Sequence, residues 1–361
     1  SYFLMRLVVS VAKKYSVTSI GEEAFSWCSG FKGSLTIGNS VTEIGKSAFY
    51  QCIHFTGNLT IPNSVTSIGI GAFSGCSGFT GSLTIPNSVT EIGSSAFSYC
   101  SGFTGSLTIP ESVTEIGYNT FSYCSGFTGS LTIPNSVTSI GEHAFYDCSG
   151  FTGSLTIPES VTEIGYEAFY DCSGFTGSLI IPNSVTEIGL WAFEYCSGFS
   201  GDLNLPSSLT KVYYRTFYGC SGLNGELIIP GSIGYIDSEA FYYCNFSRVR
   251  CQNPIPPKNY GFFSEEYCNK TPLIVPEGSE DAYANAPVWE WFKTINGIDI
   301  SGIEDIESDY NGIVQIEGGD IIAPEGSEVF DLNGRRVKPT NLPNGIYIVR
   351  IPGVKTVKIK L

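Results

Sequence analysis

Five glutamates, Glu43, Glu91, Glu115, Glu163 and Glu187, occupy one position of a 24-residue pattern, and Ser19, Ser67 and Ser139 take that position in other copies. Glu91 and Glu115 are successive in the series, as are Glu163 and Glu187. Two carboxylates held one step apart can share a proton as an acid/base pair or bind a hard cation. The competing reading is a column of solvated charges on an exposed edge. Histidine offers less. His54 and His143 are the only two, they stand where other copies carry Gly78 and Ser95, and both are expected to face solvent. Ser-His-Asp or Cys-His chemistry would need partners that the pattern does not supply. Twelve cysteines include no Cys-x₂-Cys spacing, which argues against zinc. The expectation is a chain with no catalytic residues, no cofactor and no metal.

The elements that position these residues follow from the period itself. Cysteine recurs every 24 residues at Cys28, Cys52, Cys76, Cys100, Cys124, Cys148, Cys172, Cys196, Cys220 and Cys244, with a phenylalanine three residues before each, Phe25 to Phe241. So strict a period describes one supersecondary unit stacked on copies of itself. In the copy Gly81–Thr104, the positions that stay apolar across copies are Leu83, Ile85, Val89, Ile92, Ala96, Phe97, Cys100 and Phe103. Leu83 and Ile85 alternate with Ser82 and Thr84, as in a strand with one buried face. Pro86 ends that strand by removing a donor. Val89 to Ile92 reads as a second extended piece. Ala96, Phe97 and Cys100 suit a single helical or 3₁₀ turn. Gly78, Gly81 and Gly93 mark corners that need positive φ or close approach.

The run Ile-Pro-Asn-Ser-Val-Thr-Ser-Ile-Gly…Ala-Phe…Cys-Ser-Gly-Phe, at Ile61–Phe79 and again at Ile133–Phe151, resembles the BspA-like leucine-rich repeat. The resemblance implies a right-handed repeat solenoid with a parallel β-sheet on its concave side. It also implies the setting usual for that family: secreted or cell-surface proteins, in Bacteroidetes outer-membrane-associated, that act in adhesion and protein–protein contact. Residues 1–244 are read as ten 24-residue repeats and 245–298 as irregular terminal repeats forming a cap. Trp289, Trp291 and Phe292 are placed to plug the open end. One departure, an apparent extra residue in Cys-Ser-Gly-Phe-Thr-Gly-Ser-Leu, leaves the corner before each strand open. Tyr2 to Val11 is expected to pair as an edge strand. It lacks the basic start and small-residue cleavage site of a complete signal peptide, so the chain is expected to be mature or trimmed. Beyond residue 299, Val329–Val337, Leu342–Ile351 and Lys355–Leu361 alternate strongly, with Asn333-Gly334 and Asn344-Gly345 as turn signals. This stretch, 299–361, reads as a small antiparallel β domain. It resembles the C-terminal sorting domain of type IX secretion cargo, either as a cleaved signal or as a retained relative.

Disulfides are usual in secreted chains. In a register stack, however, successive cysteines point the same way, and the near-perpendicular dihedral of a disulfide is hard to reach from parallel Cβ vectors. A ladder of buried free thiols is therefore expected, with Cys251 and Cys268 as the one pair that remains conceivable. Net charge is −15, and no Lys or Arg occurs from Ser47 to Thr210, a span with twelve acidic residues. Nucleic acid and anionic membranes are disfavoured as partners. No apolar run reaches membrane-spanning length. Positive charge gathers instead at the C-terminus, in Arg335, Arg336, Lys338, Arg350, Lys355, Lys358 and Lys360.

Strand-face positions are monotonous, with Ser82/Thr84 recurring as Ser106/Thr108 and Ser130/Thr132. The variable positions lie in the turn, where aromatic residues accumulate: Tyr146, Tyr166, Tyr170, Trp191, Tyr195, Tyr214, Tyr218, Tyr242 and Tyr243. Such rings supply contact area at low entropy cost. They either form a docking surface or simply cover neighbouring turns. The partner expected is an extracellular protein, with a glycan on the hydroxyl lattice as the alternative, and the chain itself is expected to be monomeric.

Overall fold

The computed structural model describes residues 17–299, 314–331, 334–343, 345–352 and 357–361. The expected edge strand at Tyr2–Val11 lies outside them. Each 24-residue copy forms one turn of a β-solenoid, and the strands are minimal. Leu83–Thr84 and Glu91–Ile92 are two residues each, because Pro86 stops the first and Gly93 follows the second. Each pairs in parallel with its counterpart one turn away, for example Leu59 with Leu83 and Ile68 with Ile92. The stack thus carries two parallel columns, one of Leu–Thr strands and one of Glu–Ile strands.

The third side differs from the helical or 3₁₀ turn expected there. Ser95 and Tyr99 have φ of 58° and 59°, a left-handed conformation that no helix tolerates. Between them the amides alternate in direction. Those of Ala96, Ser98 and Cys100 bond three residues back, to Gly93, Ser95 and Phe97. Those of Ser95, Phe97 and Tyr99 bond forward into the next turn, to Tyr118, Thr120 and Ser122 at 2.8–3.0 Å. The inter-turn bonds hold the left-handed residues in place, and every donor of this segment finds a partner.

The interior consists of aligned columns. Phe25 to Phe241 stack turn on turn with centroids 5.2–5.6 Å apart and planes within 12°. A second phenylalanine column runs from Phe55 to Phe199. All twelve cysteines are free. From Cys52 to Cys244 each ladder thiol donates to the carbonyl of the phenylalanine 27 residues earlier, as Cys76 does to Phe49 at 3.0 Å and Cys124 to Phe97 at 3.1 Å. Burial pushes the thiols of Cys52 and Cys124 up to about 12, so they are held as neutral donors. Cys251 instead contacts the Tyr283 hydroxyl at 3.0 Å. Where the turns meet, Gly102 is required: a Cβ there would lie 2.2 Å from the Phe79 carbonyl oxygen.

The corner before each Leu–Thr strand alternates from turn to turn. Gly57, Gly105, Gly153 and Gly201 have φ of 77–83°, whereas Gly81, Gly129 and Gly177 between them do not take positive φ. Gly81 is instead a close approach: a Cβ there would lie 1.9 Å from Asn58 Oδ1. The strands accordingly pair two by two: Leu59 with Leu83, Leu107 with Leu131, Leu155 with Leu179. The second phenylalanine column follows the same rhythm. Rings within a strand pair are 5.8–5.9 Å apart, and rings across pairs 5.1–5.5 Å. The apparent extra residue at the corner is absorbed in this two-turn alternation.

The Glu–Ile column breaks at wider intervals, once between Ile92 and Glu115 and again between Ile188 and Lys211. The cause lies in a neighbouring column. Ala48, Ala72, Ala96, Ala144, Ala168, Ala192 and Ala240 share one fully buried position, and Thr120 and Thr216 replace alanine in the turns that follow the breaks. A site fitted to a methyl group has no room for two more heavy atoms. The Thr120 hydroxyl bonds the Gly117 carbonyl at 2.9 Å, and Thr216 bonds Tyr213 the same way. The turn is wedged away from the one before it. A Cβ on Gly93 would lie 2.5 Å from Ile70 nitrogen, yet one on Gly117 would meet only two hydroxyl oxygens at 3.7 and 3.8 Å. Glu91 and Glu115 are therefore not register partners, whereas Glu163 and Glu187 are.

Past Cys244 the stack continues through Arg248–Cys251, Leu273–Ile274 and Thr294–Ile295 in parallel. Trp289 and Phe292 are fully buried, as the plug requires, with Phe262, Phe263 and Tyr283 joining them. Trp291 is only half-buried. The C-terminal region is antiparallel. Glu328–Asp331 lies between Arg336–Val337 and Ile346–Arg350, and Val357–Lys360 completes the sheet. Its core is Val314, Ile321, Val329, Tyr347, Val349, Ile351 and Ile359. Ile346 belongs to the core of the solenoid instead. Asn333 and Asn344 lie outside the described residues; Gly334 takes a φ of 71°.

Candidate functional site: an aromatic row on the turn face

Within each turn, the alanine, phenylalanine and cysteine positions are interior, and the two residues before the alanine and the two before the cysteine form the outer columns of this side, in which Ser98, Ser122 and Glu194 are nonetheless buried. These outward columns carry the sequence variation of the solenoid. One runs Ser98, Ser122, Tyr146, Tyr170, Glu194, Tyr218, Tyr242; its neighbour runs Tyr99, Tyr123, Asp147, Asp171, Tyr195, Gly219, Tyr243.

The structure joins them into one row. Tyr99 stacks on Tyr123 at 4.4 Å, Tyr123 meets Tyr146 at 5.1 Å, and Tyr146 stacks on Tyr170 at 4.7 Å with planes 2° apart. Tyr170–Tyr195, Tyr195–Tyr218 and Tyr218–Tyr243 then meet edge-on at 5.7, 5.6 and 5.1 Å. Every turn from Tyr99 to Tyr243 contributes a ring, taken from whichever column has one. The row shifts column at Asp147, Glu194 and Gly219, and once more in passing from Tyr218 to Tyr243. At Gly219 a Cβ would lie 2.7 Å from the Tyr195 ring, so the missing side chain is what lets that ring lie down.

A second row, Tyr118–His143–Tyr166–Trp191–Tyr214, runs alongside with edge-on contacts of 5.0–5.7 Å. His143 links the rows through Tyr146 at 5.5 Å. All nine aromatic residues singled out from the sequence lie in this surface, Tyr242 at its end against Tyr243. The sequence reading did not place Tyr99, Tyr118, Tyr123, His143 or Arg215 in this surface. Tyr99 and Tyr123 were legible as members of the Tyr195 column. His143 does not face solvent freely as expected. It is four-fifths buried among Tyr118, Tyr146 and Tyr166, with Nε2 2.8 Å from Glu167.

One charged cluster interrupts the rings. Glu194 is 3% exposed and lies 3.5 Å from the Arg215 guanidinium, which also bonds Glu239 at 2.7 Å. Arg215 lies 4.3 Å from the Tyr218 ring centroid and 5.2 Å from that of Tyr214. Burial pushes the Glu194 carboxyl up to about 7; Arg215 opposes this, and Glu167 and Glu239 add to it. Asp147 is also raised, first by burial and then by the Asp171 carboxylate beside it. Among the described residues, no group of three His, Cys, Asp or Glu side chains is placed to hold a metal ion. No described helix is long and apolar enough to cross a membrane.

The sequence matches the family model for the BspA type leucine rich repeat region over residues 3–128, 127–247 and 201–271. The chain belongs to that family. It is similar in structure to a leucine rich cell surface protein from Faecalibacterium prausnitzii A2-165, at 27% identity over 70% of this chain and 85% of that one, with a TM-score of 0.37. A leucine-rich repeat protein from Bacteroides ovatus is 25% identical over 65% of this chain and 82% of that one, with a TM-score of 0.31. The T. pallidum leucine rich repeat protein is 22% identical over 64% and 78%, with a TM-score of 0.30. No curated protein matches the chain.

Proposed function

We propose that this BspA-type protein is a non-catalytic adhesion and interaction protein, secreted or held at the cell surface, that docks a partner protein on the aromatic turn face. The carrying observation is the unbroken row of rings from Tyr99 to Tyr243 on the variable side of a solenoid whose other faces repeat. A linear row of partly exposed aromatic groups offers contact area along its whole length. The non-catalytic reading is supported by chemistry: the ladder thiols are interior neutral donors, and His143 is committed to Glu167. The hydroxyl lattice favours a glycan less, since Ser106 and Ser154 already accept hydrogen bonds from the backbone amides of Ser130 and Ser178. The proposal takes 1–244 as the docking body, 245–298 as its cap and 299–361 as a relative of a sorting domain. Replacing Tyr170, Trp191 and Tyr195 together with alanine should abolish adhesion to host matrix or bacterial surfaces without lowering the melting temperature. Unchanged adhesion would refute the docking surface.

A further inference from the structure

The aromatic row has a charge as well as a shape. In the six turns from Tyr99 to Tyr218, one of the two columns supplies a ring and the other a small residue or an acid: Ser98, Ser122, Asp147, Asp171, Glu194, Gly219. From Ser47 to Thr210 no lysine or arginine offsets these acids. Asp147 and Asp171 sit one turn apart beside the parallel Tyr146–Tyr170 stack, and the Asp171 carboxylate adds to burial in raising Asp147. Neither aspartate has a cation within salt-bridge distance among the described residues. Two turns on, the same kind of slot is filled from within the chain. Arg215 lies on the faces of Tyr214 and Tyr218 and pairs with Glu194 and Glu239. A cation over a tyrosine face, charge-paired at its edge, is favourable where water is partly excluded.

We infer that the flank takes an extended, arginine- or lysine-rich stretch of a partner polypeptide. Its cationic groups pair with Asp147 and Asp171, as Arg215 pairs with Glu194 and Glu239 within the chain, and its side-chain stems lie along the outer margin of the stacked Tyr123–Tyr146–Tyr170 rings. This rests on the docking surface proposed above and adds the chemistry of its occupant. An extended segment fits because the row is linear and runs along the stack, and a basic one fits because the surrounding field is of one sign.

The test is fluorescence anisotropy with three labelled peptides of equal length at physiological ionic strength: an Arg-Gly-Ser repeat, its Glu-Gly-Ser counterpart and a neutral Gln-Gly-Ser counterpart. Only the arginine peptide should bind. Tyr146→Leu with Tyr170→Leu, and separately Asp147→Asn with Asp171→Asn, should each weaken it about tenfold. Glu111→Gln with Glu159→Gln removes the same charge from exposed corners between the two strand columns and should leave affinity within about twofold. Equal weakening by that control pair would reduce the effect to diffuse polycation attraction and overturn the inference, as would preferential binding of the acidic or neutral peptide. A dimer in sedimentation that the two leucine substitutions dissolve would make a second copy of this chain the occupant, and would also overturn it. Adhesion lost in the three-ring alanine variant while the arginine peptide fails to bind sinks the basic partner and leaves the docking surface standing. Adhesion retained in that variant sinks the docking surface itself.

Discussion

The phenylalanine column and the tyrosine row climb the same stack with the same period, yet they are built differently. The phenylalanines keep one column and stay within 12° of parallel from Phe25 to Phe241. The tyrosines change column four times and turn from stacked to edge-on beyond Tyr170. Interior rings have neighbours on every side, so close packing leaves one arrangement. Exterior rings have solvent on one side and accept any neighbour that gives edge or face contact. The period is a packing constraint inside and only a scaffold outside, which leaves the outer columns free to carry recognition.

The largest expected contrast comes from removing one ring of each kind. Phe121→Ala, in mid-stack and fully buried, should destabilise by about 3–5 kcal/mol in denaturant melts. Tyr99→Ala, at 52% exposure, should cost under about 1 kcal/mol. Equal costs would mean that the outer row is structural and not a docking surface.

A smaller effect tests whether interior columns set the sheet. Ala168→Thr places a wedge where Ser139–Ile140 and Glu163–Ile164 are now paired. It should cost about 1–3 kcal/mol and raise hydrogen exchange at the Gly165 amide, which bonds Ile140 at 2.8 Å. Conversely, Thr120→Ala should slow exchange at the Gly117 amide as the sheet closes. No change at either amide would separate the breaks from the threonines.

The smallest effect is the pH response of the outer row. Burial raises Glu194 in the folded state, so its contribution is intact below the ordinary carboxylate range and is lost as pH rises through about 7. The melting temperature should fall modestly between about pH 5 and about pH 8, and Glu194→Gln should flatten that fall. A slope unchanged in the glutamine variant would place the titration elsewhere.

What the amino-acid order determined by itself was the content of one turn: which residues face inward, where Pro86 and the glycines end strands, and the columns of Phe97, Phe103 and Cys100. Those follow from a side chain's affinity for water and a backbone's available donors, which are properties of single residues. What only the tertiary structure decided was how neighbouring turns share space. The alternation of Gly57 with Gly81, the left-handed Ser95 and Tyr99 in place of a helical turn, and the sheet breaks beside Thr120 and Thr216 are of this kind. So is the row that passes from Tyr170 to Tyr195 across Glu194. Each is a relation between two turns, where one turn's hydrogen bonds and volumes depend on what the adjacent one has left unoccupied. A pattern that repeats every 24 residues is blind to such choices, because it describes every turn as though it had no neighbour.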